Sequence, residues 1–237
     1  MSPPRSGSHF LQYLLADFFP ARVQTATYHN QQPFSSNIFM VKSHADTYLR
    51  LLNEVSALQA YPLFPSKFLI IVRDPRIASI SAYEYGGRKL GKSQEEFLFS
   101  SNYGPDCPGL FKGNYLSYLK KFFETWLQYC QKSGAMIVKF ENLVTDHNCF
   151  KKVLEYLELK IEKKLLKADL LYAKVNSISR LLEEKWRHAA RFGNSKTKTA
   201  LPQKQYLCEF GDLKEYTKIT QIIEVEFKDT LENLGYY

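Results

Sequence analysis

The sequence predicts an α/β fold in three layers, with a central, mostly parallel sheet flanked by helices. The clearest strands are the apolar runs 67–72 and 135–140, whose large apolar residues suit strands that are covered on both faces. Segments of helical periodicity separate the strands, and strands that alternate with helices are joined by parallel crossovers. The chain has 237 residues, and we expect one domain over residues 1–237.

The first half of the chain alternates between helices and strands. Apolar spacing predicts helices over 8–19, 45–60 and 75–85, and strands over 21–28, 37–42 and 67–72. The first helix should end at Pro20, because proline cannot continue a helix. The third should begin at Asp74 and Pro75, where an N-cap carboxylate precedes a residue that suits the first helical turn, and it should end at Gly86 and Gly87.

The second half is predicted to be mostly helical. A loop over 88–112 contains a short helical stretch near 94–99, and a basic loop covers 187–204. A long amphipathic helix over 115–132 precedes the strand over 135–140. Further helices are predicted over 148–158, 160–173, 177–186 and 212–233.

Composition narrows the class of protein. The formal net charge of +8 favours anionic or phosphorylated partners without selecting one. The four cysteines form no Cys-x-x-Cys pair, which leaves zinc and redox motifs unsupported and indicates isolated thiols in a reducing compartment. No apolar run approaches the roughly 18 residues of a membrane span, and no secretory signal is recognised, so we expect a soluble cytoplasmic protein without a membrane partner.

The first polar cluster lies at the start of the first predicted helix. Arg5-Ser6-Gly7-Ser8 offers a fixed cation, two hydroxyl groups and a glycine that permits close approach, beside helix amides that have no intrahelical acceptor. Such a turn suits an anion and indicates a phosphate cradle. By itself the octapeptide from Pro3 to Phe10, which contains this cluster, is equally compatible with a capped first helix that follows a basic tail.

Two more polar clusters follow predicted strands, where open α/β sheets bind their ligands. Lys42 and His44 share one face of an extended segment. A cation beside an imidazole favours its neutral form, which a general base requires, although an isolated histidine is more often structural. Arg73 ends its strand, and Ser81 lies two turns into the next helix, where it could reach the same anion. The alternative for this cluster is a solvated helix cap.

Together these clusters resemble the motifs of the sulfotransferase family that uses 3′-phosphoadenosine 5′-phosphosulfate (PAPS). The segment Pro4-Arg5-Ser6-Gly7-Ser8-His9-Phe10 resembles the family's 5′-phosphosulfate loop, Pro-Lys-Ser-Gly-Thr-Thr-Trp. Val41-Lys42-Ser43-His44 resembles its Lys-Thr-His segment, and the stretch from Arg73 to Ser81 is similar to its 3′-phosphate motif, with Arg and Ser at the same spacing. Phe140-Glu141-Asn142-Leu143 resembles a Tyr-Glu-Asp-Leu strand end, and Arg191-Phe192-Gly193 resembles a late Arg-Lys-Gly.

The resemblance implies a P-loop-like sulfotransferase fold and an enzyme that transfers a sulfuryl group in line from PAPS to a hydroxyl or amine, without a metal. His44 would deprotonate the acceptor, and Lys42 and Arg5 would stabilise charge on the leaving phosphate. The implied contacts to the 5′-phosphosulfate are Arg5, Ser6, Gly7, Ser8 and His9, with Phe10 stacked on adenine. Those to the 3′-phosphate are Arg73, Ser81 and Arg191, and Phe192 and Gly193 belong to the same late cofactor-binding motif. Asn176 and Ile178 align loosely with the family's adenine contacts.

The chain departs from the family pattern at several positions. Arg5 replaces Lys and keeps the charge, His9 replaces Thr, and Phe140 replaces a Tyr whose phenol could meet adenine. The family has a strand directly before the phosphate loop, where only Met1-Ser2-Pro3 stand in this sequence. The chain is therefore either an N-terminally shortened form or one that supports the loop in another way.

Two other functions stay open at this stage. A shortened, non-catalytic relative that binds the nucleotide agrees with the missing strand. A P-loop kinase would need a Gly-x-x-x-x-Gly-Lys-Ser/Thr loop with a strand-end Asp for magnesium, and the sequence contains neither. The Lys-rich stretches 151–167 and 196–204 are typical of solvated surfaces, so no nucleic-acid partner is expected. We expect a small-molecule, glycan or peptide acceptor, bound by variable loops over 29–36 and 86–112.

Overall fold

A computed structural model describes residues 1–18, 25–27, 40–57, 67–101, 113–159 and 213–237. The strands are β1 (Thr25–Thr27), β2 (Met40–Lys42), β3 (Leu69–Val72) and β4 (Met136–Lys139). The α-helices are α1 (Ser8–Phe18), α2 (Tyr48–Ala57), α3 (Pro75–Ala82), α4 (Gln94–Leu98), α5 (Tyr115–Ser133), α6 (Phe140–Thr145), α7 (His147–Tyr156), α8 (Thr217–Glu226) and α9 (Lys228–Asn233). A π-helical turn covers Tyr83–Gly87, and 3-10 turns cover Arg88–Leu90 and Leu213–Tyr216. The elements predicted over 160–173, 177–186 and 187–204 lie outside the described residues.

The described strands form parallel pairs. β1 pairs with β2, with Thr25 opposite Met40, and β3 pairs with β4, with Leu69 opposite Met136. Parallel neighbours require crossover connections, and helices lie between β3 and β4 in the chain. The predicted parallel arrangement is therefore confirmed for the described strands.

The first two residues connect the two pairs of strands. The Met1 ammonium donates to the Leu69 carbonyl at 2.8 Å, and the Ile71 amide donates to the Met1 carbonyl at 2.9 Å, as in a parallel ladder. On the other side, the Ser2 amide donates to the carbonyl of Ser43, directly after β2, at 3.3 Å. Met1 and Ser2 thus occupy a strand position between β2 and β3, and they support the loop that follows them.

Two hydrophobic cores lie on opposite faces of β3. Ile70 and Val72 belong to one core, together with residues of α2, α3, α4, α5, α8 and α9. Ile71 belongs to the other, together with residues of α1, α6 and α7. Alternate residues of a strand point to opposite faces, so helices cover both faces of β3. This is the three-layer arrangement that the continuous apolar run predicts.

Two predicted elements are interrupted at a phenylalanine whose side chain packs into a hydrophobic core. The predicted strand over 135–140 is wrong at Phe140, which begins α6, because its buried ring packs edge-on against Phe10 with 5.8 Å between the ring centroids. The helix predicted over 212–233 is divided at Phe227, whose backbone leaves the helical region (φ −122°, ψ 22°). The ring of Phe227 packs against Phe123 at 6.0 Å between centroids.

The helix predicted over 75–85 changes its winding before its end. The α-helical part, α3, stops at Ala82, and the chain continues as the π-helical turn. The wider turn keeps both Tyr83 and Glu84 buried, and the Tyr83 ring contacts Phe97 of α4 with 5.8 Å between centroids. The helical segment therefore extends past Gly86 and Gly87, where the sequence predicts its end.

Helix α5 fixes the chain that follows β2. The Tyr118 hydroxyl donates to the carbonyl of His44 at 2.6 Å, and Trp126 Nε1 donates to the carbonyl of Ala45 at 2.9 Å. Both aromatic side chains are fully buried. Because one rigid helix satisfies two successive loop carbonyls, His44 has a defined position although it lies outside regular structure.

We expect Trp126→Phe to lower the free energy of unfolding by at least about 2 kcal/mol, because it leaves a cavity and an unsatisfied buried carbonyl on Ala45. Urea denaturation followed by circular dichroism measures this change. The control is Val225→Ala, since Val225 is 77% exposed and its truncation should change stability by less than about 0.5 kcal/mol. A Trp126→Phe protein as stable as the control would contradict the importance of this contact.

Candidate functional site

The candidate site begins in the turn before α1, where two residues have positive φ. Arg5 has φ +67° and Gly7 has φ +86°, and the Ser6 amide between them donates to the Pro3 carbonyl at 3.3 Å. A positive φ is unusual for arginine, so the surrounding contacts must hold the Arg5 backbone in this conformation. Turns of this kind gather backbone N–H groups on one side, next to the first-turn amides of α1 that have no acceptor within the helix.

Gly7 packs directly against the residue that follows β4. A Cβ at this position would lie 2.0 Å from Cδ2 of Phe140, a distance that no real contact allows. Gly7 is therefore needed both for its positive φ and for its lack of a side chain. The turn before α1 and the carboxyl end of β4 form one packed unit.

Several contacts hold Arg5. Its Nε donates to Ser81 Oγ at 3.1 Å, and its guanidinium carbon lies 5.1 Å from the ring centroid of Tyr85. Its carbonyl accepts from NH1 of Arg73 at 3.3 Å. Tyr85 follows Ser81 by four residues, a spacing that places two side chains on one side of a helix. Residues that follow β3 therefore fix both the backbone and the side chain of Arg5.

Arg73 lies at the carboxyl end of β3 and is only 4% exposed. Its guanidinium carbon is 5.1 Å from the ring centroid of Phe140, and its NH1 points to the Arg5 carbonyl. Two side chains of the same charge thus converge on one turn. Because like charges repel more strongly in a protein interior than in water, this arrangement is most favourable beside an anion.

Two neighbouring arginines are engaged by carboxylates. Arg76 forms an ion pair with Asp74 at 2.7 Å, and its hydrogen bonds to that carboxylate raise the pKa of Arg76. Arg88 pairs with Glu84 at 2.8 Å; burial raises the pKa of the Glu84 carboxyl, and the positive charge of Arg88 opposes this shift. These two arginines stabilise α3 and its extension, so we do not assign them to the anion site.

His44 is joined to the segment that carries the turn. Its Nδ1 lies 2.7 Å from the carbonyl oxygen of Ser2. Because a carbonyl oxygen can only accept, Nδ1 must carry the proton, and in the neutral ring the lone pair is then on Nε2. This is the tautomer in which Nε2 can act as a base. Lys42 is the last residue of β2, two positions before His44.

The structure brings some predicted site residues together and separates others. Arg5, Arg73 and Ser81 meet through the contacts described above. Ser8 and His9 begin α1, whereas Phe10 is 1% exposed within the core, so we do not assign it to adenine. Outside the described part of the molecule lie the side chains of His9 and Lys42 and the residues Asn176, Ile178, Arg191, Phe192 and Gly193.

Two contributors to this geometry are not predicted from the sequence. Tyr85 lies at the end of the helix predicted over 75–85 and has no predicted role, but it packs on the guanidinium of Arg5. Its spacing of four residues from Ser81 is a signal that could have indicated this position. Ser2 acts through its backbone carbonyl on His44, and no side-chain pattern indicates such a contact.

The described residues contain neither a metal-binding cluster nor a helix that could span a membrane. Among them, no group of three or more His, Cys, Asp or Glu side chains is placed to hold a metal ion. None of the helices in these ranges is long and apolar enough to cross a membrane.

Comparison with known proteins connects this geometry to a family. The sequence model of the sulfotransferase domain matches residues 1–205. Among solved structures, the chain is similar to the mouse sulfotransferase SULT7A1, crystallised in complex with PAP. The two proteins are 15% identical with a TM-score of 0.59, and the match covers 98% of this chain and 82% of that one. At this identity the structural match supports the fold alone. No curated protein sequence matches the chain.

Replacing Gly7 by Ala should lower the free energy of unfolding by roughly 2 kcal/mol or more, because the new Cβ combines a positive φ with an overlap on Phe140. Gly113→Ala is the control, since Gly113 has φ +101° but no described atom within 4 Å of an added Cβ, and it therefore carries the backbone cost alone. Urea denaturation should show a larger loss for Gly7→Ala than for the control.

A double variant isolates the contact with Phe140. Phe140→Ala removes the ring that the new Cβ would overlap, so Gly7→Ala with Phe140→Ala should lose less stability than the sum of the two single changes. Strictly additive losses would show that Gly7 and Phe140 do not constrain each other.

Proposed function

We propose that this chain, which belongs to the sulfotransferase domain family, transfers a sulfuryl group from PAPS to a hydroxyl or amine acceptor. The observation that carries this proposal is the convergence of Arg5, Arg73 and Ser81 beside the N-terminus of α1. Two fixed guanidinium groups and a helix N-terminus suit a ligand with more than one phosphate-like group. The similar mouse protein is complexed with PAP, the bisphosphate that such a transfer leaves, which agrees with PAPS as co-substrate.

The turn from Arg5 to Gly7 suits the 5′-phosphosulfate. The amides of Gly7 and of the first turn of α1 would supply N–H donors, and Ser8 and His9 would complete the cradle. Ser6 is 1% exposed, and its Oγ has no hydrogen-bond partner among the described residues. An unsatisfied buried hydroxyl is unfavourable, so a ligand oxygen at this position would remove a cost that the protein otherwise bears.

Arg73 and Ser81 are the proposed ligands of the 3′-phosphate. Ser81 Oγ accepts from Arg5 Nε, which leaves its own hydroxyl proton for donation to an anion. The motif resemblance adds Arg191, with Phe192 and Gly193, to this subsite and Asn176 to the adenine contacts.

His44 is the proposed general base. The Ser2 carbonyl keeps a proton on Nδ1, so that Nε2 takes the proton of the acceptor's O–H or N–H group as that group bonds to sulfur. When bound, PAPS supplies the activated sulfuryl group through its phosphosulfate linkage. Arg5 and Lys42 would stabilise the negative charge that remains on the phosphate when the bond between sulfur and the bridging oxygen breaks.

In-line transfer also constrains where the acceptor enters. The acceptor atom and the leaving oxygen must lie on opposite sides of sulfur, so the acceptor has to reach His44 from the side facing away from the Arg5 turn. We propose a hydroxyl or amine carried by a small molecule, a glycan or a peptide. The Tyr118 and Trp126 contacts would keep His44 in place during this approach.

Isothermal titration calorimetry with adenosine 3′,5′-bisphosphate tests the proposal, with ATP and a short oligonucleotide as the comparison ligands. We expect binding of the bisphosphate alone, and Arg73→Ala should weaken it at least about tenfold because charge-assisted hydrogen bonds are lost. Lys121→Ala removes one exposed positive charge on α5 and should leave this affinity unchanged. Binding of ATP or the oligonucleotide alone would refute the proposal.

His44→Asn separates catalysis from binding. Asparagine keeps an N–H donor for the Ser2 carbonyl but has no basic nitrogen, so transfer should fall about 10²–10⁴-fold while the bisphosphate affinity stays within about twofold. Transfer of label from PAPS to a panel of hydroxyl and amine acceptors measures the first effect, and calorimetry measures the second. His44→Ala should also abolish transfer.

Two outcomes of this experiment would change the assignment. An active His44→Asn protein would remove His44 as the base. A wild-type protein that binds the bisphosphate but transfers no label to any acceptor would indicate a non-catalytic nucleotide-binding relative.

A further inference from the structure

The residues after α9 fold back toward the carboxyl ends of β3 and β4. Gly235 has φ +63°, its amide donates to the Glu232 carbonyl at 2.9 Å, and the Tyr236 amide donates to the Leu231 carbonyl at 2.8 Å. This is the Schellman arrangement, which ends a helix and fixes the direction of the next residue. Tyr236 therefore leaves α9 in a defined direction.

Tyr236 bonds to two different elements through its hydroxyl and its carbonyl. Its hydroxyl donates to Oε2 of Glu141, in the first turn of α6, at 2.9 Å. Its carbonyl accepts from NH2 of Arg76 in α3, also at 2.9 Å. Lys139 Nζ lies 4.9 Å from the centroid of the Tyr236 ring. The residue thus joins the end of β4 to the start of α3.

Glu141 and Arg76, the two partners of Tyr236, both bond to Asp74, the residue that follows Arg73. The Asp74 amide donates to Oε1 of Glu141 at 3.0 Å. NH2 of Arg76, which also binds the Tyr236 carbonyl, donates to Oδ2 of Asp74 at 2.7 Å. The amide and the carboxylate of Asp74 are therefore held by two partners that Tyr236 contacts.

The orientation of Arg73 depends on the turn between β3 and α3, which contains Asp74. The peptide between Arg73 and Asp74 leads into the N-cap of α3, because Asp74 is the N-cap and Pro75 the first residue of the helix. If the Asp74 amide rotates, the Cα of Arg73 and the direction of its side chain change with it. The bond from Arg73 NH1 to the Arg5 carbonyl, at 3.3 Å, would then be lost.

We propose that Tyr236 is a positioning residue for Arg73, which acts through Glu141 on the turn between β3 and α3. The inference rests on the proposed function, since Arg73 is assigned there to the 3′-phosphate. Without the Tyr236 hydroxyl, Glu141 loses the partner that orients its carboxylate toward the Asp74 amide. Arg73 then points less accurately at the 3′-phosphate, while the cradle at the start of α1 keeps its own contacts.

The test compares adenosine 3′,5′-bisphosphate with adenosine 5′-monophosphate, which differ only in the 3′-phosphate. Tyr236→Phe should weaken bisphosphate binding about fivefold and monophosphate binding less than about twofold, because one hydrogen bond to a carboxylate is lost at the 3′ side only. Calorimetry, with competition for the weaker ligand, measures both affinities. Equal weakening of the two ligands, or of neither, would overturn the proposal.

Tyr237→Phe is the matched control. Tyr237 is the adjacent residue, is 66% exposed, and its hydroxyl contacts the carbonyl of Glu224 at 3.4 Å instead of Glu141. This variant should bind both ligands as the wild type does. A loss of bisphosphate affinity equal to that of Tyr236→Phe would show a general effect of the segment and would overturn the proposal.

A double variant tests the route through Glu141. Glu141→Ala should reproduce the selective loss of bisphosphate affinity, and adding Tyr236→Phe should cause no further loss, since both changes remove the same carboxylate contact. Additive losses would show that Tyr236 acts by another route.

Hydrogen exchange gives a measurement that does not depend on the nucleotide. Tyr236→Phe should accelerate exchange of the Asp74 amide severalfold and leave the Ile71 amide, bonded to Met1 in the sheet, unchanged. Unchanged exchange at Asp74 overturns the positioning role whatever the ligand results. A wild-type protein that fails to bind the bisphosphate refutes the proposed function instead, and exchange at Asp74 still decides whether Tyr236 holds the turn.

Discussion

Two arginine side chains of like charge converge on one turn, and most contacts of the candidate site serve to hold them there. Arg73 donates to the carbonyl of Arg5, and Ser81 and Tyr85 hold the Arg5 guanidinium. A hydroxyl, a carbonyl and aromatic faces orient a cation without cancelling its charge, whereas a carboxylate would neutralise it. The neighbouring Arg76 and Arg88 are paired with carboxylates.

The proposed base and the proposed cradle share one short segment. Met1 is bonded to β3, and Ser2 gives its amide to Ser43 and its carbonyl to His44. Residues three to five positions from Ser2 then form the turn that carries Arg5 and Gly7. A change in this segment would move the histidine and the anion site together, so their relative geometry depends on backbone hydrogen bonds and not on a flexible linker.

On the other side of the candidate site, Arg73 is positioned by residues that lie far apart in the sequence. Tyr236 reaches Glu141 and Arg76, and both hold Asp74, next to Arg73. The ring of Phe140 has two roles. It packs against the guanidinium of Arg73, and it leaves no space for a side chain at Gly7. Tight packing of this kind transmits small displacements, since a close-packed interior has few alternative arrangements.

The sequence by itself determined the three-layer class, the order of the four described strands and the residue types at the ends of β2 and β3. Continuous apolar runs, helical spacing and the Asp74-Pro75 cap are local signals, which depend only on residues that are close together in the chain. Only the tertiary structure decided that Phe10 enters the core, that Phe140 begins a helix, and that Ser2 and Tyr236 support the site. Those outcomes depend on partners distant in the chain or on backbone carbonyls, which carry no side-chain pattern.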